Sequence, residues 1–299
     1  MKRRVFLGGS LAVSASGLIF PRLALSQNHP IVDTAQGKVR GVSNARGIHV
    51  FKGMRYAAST AGERRFLPPQ TPPSWTGVQD ALEYGDQAPQ ARTRLAGSQD
   101  MTDDCLRINV WTPGTDNARR PVMLWFHGGG FEAGHGAASL YEGTNVARRG
   151  DVVVATINHR LNVFGHCHLG GFLGDEFAQS GNVGYLDLVA AMRWVKENIA
   201  AFGGDPDNVM IYGQSGGGRK VSLCYAGADA HGLFHKGVVQ SGSHLVVKPK
   251  ESAHELTGNL LTELGIPHND ARRLQSVDVE TLSAAQRKVA GAAGTRFSP

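Results

Sequence analysis

Beyond about residue 105 the chain falls into apolar runs that end in turn residues. "LRINVWTP" (106–113), "PVMLWFHGGGF" (121–131), "DVVVATINHR" (151–160) and "NVMIYGQS" (208–215) are nearly continuous in apolar side chains. Runs of this kind predict strands buried on both faces, as in a mixed sheet covered by helices. Between the third and fourth runs, Leu188, Met192, Val195 and Ile199 recur at i, i+4, i+7 and i+11, the apolar stripe of a helix. Gly203-Gly204 ends that helix, and Asp205-Pro206 turns the chain into the next strand. "HKGVVQSGS" (235–243) predicts a further strand, and residues 251–290 read as helix with a break at Pro267. The alternation of strand and helix predicts an α/β architecture with helices on both faces of the sheet.

The amino-terminal third reads differently. Residues 31–57 form short apolar pieces broken by Gly37, Gly41 and Gly47, which predicts an antiparallel meander. Residues 62–97 are rich in proline, glycine and charge, and "FLPPQTPPSW" is too proline-dense for a helix or a central strand. That stretch predicts a surface excursion in which Phe66 and Trp75 still seek burial.

Residues 1–26 stand outside the fold. Lys2, Arg3 and Arg4 precede an apolar stretch diluted by Gly and Ser, and Ala24-Leu25-Ser26 offers small residues where a signal peptidase cuts. Arg3-Arg4-Val5-Phe6-Leu7 resembles the twin-arginine export signature, with a Sec signal or an uncleaved anchor as the alternatives. The expectation is export to the periplasm or beyond, leaving residues 27–299 as one partial domain. The formal charge of +6 includes Lys2, Arg3, Arg4 and Arg22, so the chain after the leader carries +2. No long basic run remains there to suggest a nucleic-acid partner, and no stable membrane span is expected after cleavage. With 41% hydrophobic and 19% charged residues the composition is globular. Cys105, Cys167 and Cys224 are too few for a disulfide framework and read as small core side chains.

The chemistry centres on "GQSGGG". The Gly-x-Ser-x-Gly spacing of Gly213, Ser215 and Gly217 arises easily by chance in a chain with 39 glycines. Its context is more specific, because Ser215 ends a predicted strand and opens a predicted helix, Gly216 to about Ala226. Such a turn pushes the hydroxyl out at the carboxyl end of the sheet and aims the helix amino terminus at whatever the serine attacks. "HGGGF" (127–131) ends a second predicted strand, and its glycines let backbone amides turn inward without a Cβ in the way. Gly129, Gly130 and Gly216 are thereby the expected oxyanion donors to a tetrahedral intermediate, with Ser215 as nucleophile.

These segments, with "VFKGMRYA", "DDCLRINVWTP", "INHRLNVFG" and "GLFHKGVVQSGS", resemble the type-B carboxylesterases, the family that includes cholinesterases and bacterial para-nitrobenzyl-type esterases. The resemblance runs from Gly37 to Pro299. It implies an α/β-hydrolase fold, ester hydrolysis through an acyl-enzyme on Ser215, a small-molecule ester as substrate, and no cofactor or metal. It also implies structural roles for Asp104, Arg160, Asp187 and Asp205 in buried pairs and turn caps. The chain departs from the family in three ways. No cysteine precedes Cys105 to form the family's disulfide. "HCHLGG" replaces apolar residues, although three adjacent ligands, His166, Cys167 and His168, rarely face one metal ion. The acid and histidine that follow the nucleophile in the family have no counterpart, since His231, His235, His244, His254 and His268 all lack the family's catalytic-loop setting. The expectation is therefore a fold with its carboxyl-terminal part missing. A non-catalytic binding or adhesion relative is the alternative, disfavoured because a binding scaffold has no use for a strained serine.

Overall fold

The structure is a computed structural model that describes residues 29–243 and 245–299, so the leader reading and His244 lie outside the described residues. The strands are β1 (Ile31–Thr34), β2 (Gly37–Arg40), β3 (Val42–Ser43), β4 (His49–Arg55), β5 (Val78–Asp80), β6 (Arg107–Thr112), β7 (Arg120–Phe126), β8 (Val153–Ile157), β9 (Gly204–Gln214) and β10 (Lys236–Gln240). The α-helices are α1 (Thr144–Gly150), α2 (Asn162–His166), α3 (Gly170–Leu173), α4 (Val183–Asn198), α5 (Gly216–Ala226), α6 (Lys250–Glu263) and α7 (Val279–Ala292). Seven strands form the main sheet in the order β10-β9-β7-β8-β6-β4-β3. Strands β10, β9, β7 and β8 run parallel, and β6, β4 and β3 continue the sheet antiparallel. The mixed α/β sheet expected from the apolar runs is present.

Side-chain alternation along the central strands divides the core. Val122, Leu124 and Phe126 of β7 and Val209 and Ile211 of β9 share one face with Leu188, Met192 and Val195 of α4 and Val221 and Cys224 of α5. Ile199, the last residue of the predicted stripe, is buried in the 3-10 turn that follows α4, and Gly203 closes that turn at φ +75°. The opposite face carries Trp111, Val154 and Val50 against Ala147 of α1. A second core joins Val163 and Phe164 of α2 to Leu256 and Leu260 of α6 and Leu282 and Val289 of α7.

Three expectations change. The amino-terminal meander divides, because β1 and β2 form a separate sheet whose third strand, β5, joins β2 in parallel. The proline-rich excursion is partly internal: Phe66 is fully buried in the second core, and Trp75 Nε1 donates to the Lys38 carbonyl at 3.1 Å. Burial on both faces holds for β8 but not for β9 and β10, whose outer side chains, including Met210, Tyr212 and Val238, remain half-buried or exposed. Among the described residues, α1 lies against β6 and β8, and no helix covers that face of β9 and β10.

Candidate active site

Ser215 sits between the last residue of β9 and the first of α5 at φ +56°, ψ −119°. A non-glycine residue in such a conformation stores about 1–3 kcal/mol of strain and persists only when its surroundings fix it. The surroundings are close. Ser215 N–H donates to the Gln240 carbonyl of β10 at 2.8 Å, and Arg219 N–H donates to the Ser215 carbonyl at 3.1 Å. A methyl on Gly213 would lie 2.5 Å from the Gly217 carbonyl carbon, and one on Gly217 would overlap the Phe126 carbonyl oxygen. The glycines flanking Ser215 are thus required by the approach of strand and helix.

The loop after β7 meets this turn. A methyl on Gly128 would come within 3.8 Å of Ser215 Cβ, and one on Gly216 would overlap the Gly130 amide nitrogen. Gly129 and Gly130 hold φ +92° and φ +66°, and the loop is closed by Ala133 N–H donating to the Gly129 carbonyl at 3.1 Å. His127 Nδ1 contacts the Gly128 carbonyl at 2.8 Å, which makes Nδ1–H the donor. Because a trans peptide points its C=O and N–H in opposite directions, this bond turns the Gly129 N–H away from the His127 ring. Among the described residues, the amides of Gly129, Gly130 and Gly216 donate to no protein acceptor. The four residues expected to form the site are therefore brought together.

What sequence reasoning missed lies beneath the loop. Lys220 follows Gly216 by four positions and Gly217 by three, so it shares their inward face on α5. Its side chain is fully buried; Nζ donates to the His127 carbonyl at 2.8 Å and lies 5.9 Å from the centre of the Phe131 ring. Burial lowers the amine to about 7. The His127 ring stacks on His159 with centroids 4.8 Å apart. Burial, reinforced by the Lys220 charge, holds both imidazoles well below their usual pKa and so neutral. The signal was present in the helical spacing, but a lysine reads as a surface residue until its face is known.

The remaining candidates separate from the serine. Arg160 and Asp187 form a buried pair, with Nη2 to Oδ1 at 2.7 Å and Nε to Oδ2 at 2.9 Å. Asp104 pairs with Arg55 and Arg107; Asp205, expected to cap a turn, instead lies in the irregular first part of β9, where its Oδ1 accepts from Asp207 N–H at 3.0 Å. Cys105, Cys167 and Cys224 are free and buried. His166 Nδ1 meets the Gly181 carbonyl at 3.2 Å while Cys167 Sγ faces Thr257, so this run diverges to separate partners. His235 Nδ1 accepts from Val209 N–H, and His254 and His268 both pack on Phe172. His231 is exposed. Among the described residues, no histidine or carboxylate hydrogen-bonds to Ser215 Oγ.

The profile of the carboxylesterase family matches residues 28–299. The chain is 42% identical to para-nitrobenzyl esterase of Bacillus subtilis, over 85% of this chain and 52% of that protein. It is 39% identical to human cocaine esterase, over 73% of this chain and 41% of that one. A crystal structure of a Geobacillus stearothermophilus carboxylesterase superposes with a TM-score of 0.84 at 44% identity, covering 90% of this chain and 55% of that chain. A solved para-nitrobenzyl esterase structure gives 0.83 at 40% identity, covering 90% and 55%. The chain thus spans about half the length of these relatives and shares their α/β-hydrolase fold. With a profile match across nearly its whole length, the chain belongs to the carboxylesterase family.

Proposed function

We propose that this chain carries the nucleophile and oxyanion site of a carboxylic ester hydrolase. Ser215 Oγ attacks the carbonyl carbon of a small-molecule ester, and the hydroxyl proton passes to a general base. The carbonyl oxygen becomes an oxyanion accepted by the N–H groups of Gly129, Gly130 and Gly216, each worth about 2.7–4 kcal/mol to the barrier. Collapse expels the alcohol and leaves an acyl-enzyme, which water then cleaves to the acid and free Ser215. The observation that carries this reading is the strained Ser215 backbone facing amides that have no protein acceptor.

The reading assigns the base and its orienting acid to the further length that the relatives possess, since none of the described side chains is in place to take the Ser215 proton. It also keeps the leader at residues 1–26, which would deliver the protein to the periplasm or the medium; amino-terminal sequencing of the exported protein tests that cleavage. The chemistry is tested by incubation with a short-chain para-nitrophenyl ester followed by intact-mass analysis. One acyl mass on the peptide containing Ser215, absent in Ser215→Ala, is expected. Acylation that persists in Ser215→Ala, or none when the base-bearing length of the relatives is supplied, would point instead to a binding protein.

A further inference from the structure

Lys220 is costly to bury, and its return is a single hydrogen bond. Among the described residues it pairs with no carboxylate, and its one protein acceptor is the His127 carbonyl. The groups around it come from three elements: His127 at the end of β7, His159 after β8 and His166 in α2, with the Phe131 ring above. Each imidazole donates Nδ1–H to a carbonyl, of Gly128, Arg160 and Gly181 respectively, and each leaves Nε2 bare. Burial keeps all three neutral, and the other charges acting on His166 are Arg160 and Lys248, also cations. An unpaired buried ammonium among carbonyl and imidazole lone pairs breaks the usual rule for charges, and such breaks cluster at functional sites.

Its position gives it a task. Helical side chains lean toward the amino terminus, so Lys220 runs back beside Gly217 and Gly216 to reach the underside of the loop that carries Gly129 and Gly130. We propose that the Lys220 ammonium is a positioning residue for the oxyanion loop, fixing the His127 carbonyl and adding positive potential beneath the Gly129 and Gly130 amides. This rests on the acyl-transfer reading above. Because the three imidazoles stay neutral, Lys220 is the group in this cluster that titrates near neutrality. Oxyanion support then weakens as pH rises and the ammonium is lost.

Phenylboronic acid tests this without a general base. Its boron bonds to Ser215 Oγ, the hydroxyl proton leaves to solvent, and the adduct is a tetrahedral anion. Affinity is measured from about pH 6 to about pH 9 for wild type, Lys220→Met, Lys220→Gln and Ser215→Ala. The proposal expects wild type to bind about tenfold more tightly than either Lys220 variant at the acid end, less than the effect of a direct donor, with the ratio against Lys220→Gln falling to about one at the alkaline end. Lys220→Gln keeps an N–H for the His127 carbonyl, so wild-type behaviour in that variant would show that the charge is irrelevant and overturn the proposal. A ratio that does not change with pH, while wild type still binds, overturns the proposal alone. Wild type binding no better than Ser215→Ala removes the nucleophile reading and this proposal with it.

Discussion

Ser215 keeps φ +56° because three close approaches leave it no other course: the Gly213–Gly217 crossing, the hydrogen bond to Gln240, and the loop whose Gly242 lies against the Ser215 carbonyl. Gly217→Ala places a methyl on the Phe126 carbonyl oxygen, so we expect a loss of roughly 1–3 kcal/mol in denaturant unfolding together with loss of acylation. An unchanged unfolding midpoint would show that the crossing is looser than described. The Gly-x-Ser-x-Gly spacing was legible in the sequence because strand, turn and helix are local. Lys220 was not, since its burial depends on a loop 93 positions away. Its amine stands at about 7 in the folded protein against 10.5 for an ordinary lysine. Between those values the unfolded chain holds the extra proton, so stability rises with pH across that window and the penalty is full below about 7. Lys220→Met carries no such penalty. Its melting temperature is expected to exceed that of wild type near pH 6 and the two to converge toward pH 10; parallel curves would contradict the assignment.

At the scale of elements, α5 spans Gly216–Ala226 as the glycine-flanked apolar pattern predicts, and α4 presents the anticipated stripe to β7 and β9. Both patterns are set by residues within one or two turns of each other. The partition of the amino-terminal strands was hidden, because β2 finds β5 across nearly forty residues and through a proline-rich path with no periodicity to read. The Arg160–Asp187 pair ties the segment after β8 to α4, and Arg160 Nη1 also donates to the Leu67 carbonyl at 2.8 Å. Asp187→Ala strands a guanidinium at 1% exposure, and a loss of about 3–5 kcal/mol is expected in equilibrium unfolding. A loss below 1 kcal/mol would mean that water reaches Arg160 or that the pair is replaceable.

For the whole molecule, the main sheet ends at β10, which pairs with β9 on one side and, among the described residues, with no strand on the other. Val238 and Val239 are 38% and 37% exposed there, and Leu245, at 91%, lies just beyond. An apolar edge of this kind is a template for pairing with other chains. Residues 27–299 produced alone are expected to associate or to pack loosely. A monomer in sedimentation velocity with a cooperative melt would contradict this. The sequence indicated this edge, because "HKGVVQSGS" is the last strand-like run, but it did not indicate which sheet face would lie open.

Ser215 is proposed as an acyl-accepting nucleophile backed by Gly129, Gly130 and Gly216. Its most direct test is a fluorophosphonate probe followed by peptide mapping. Phosphonylation confined to Ser215, abolished in Ser215→Ala and slowed in Gly129→Ala, whose methyl would meet the Ala133 carbonyl, is the expected result. A protein that stays unlabelled when the base-bearing length of the relatives is supplied, or label at an equal level in Ser215→Ala, would contradict it.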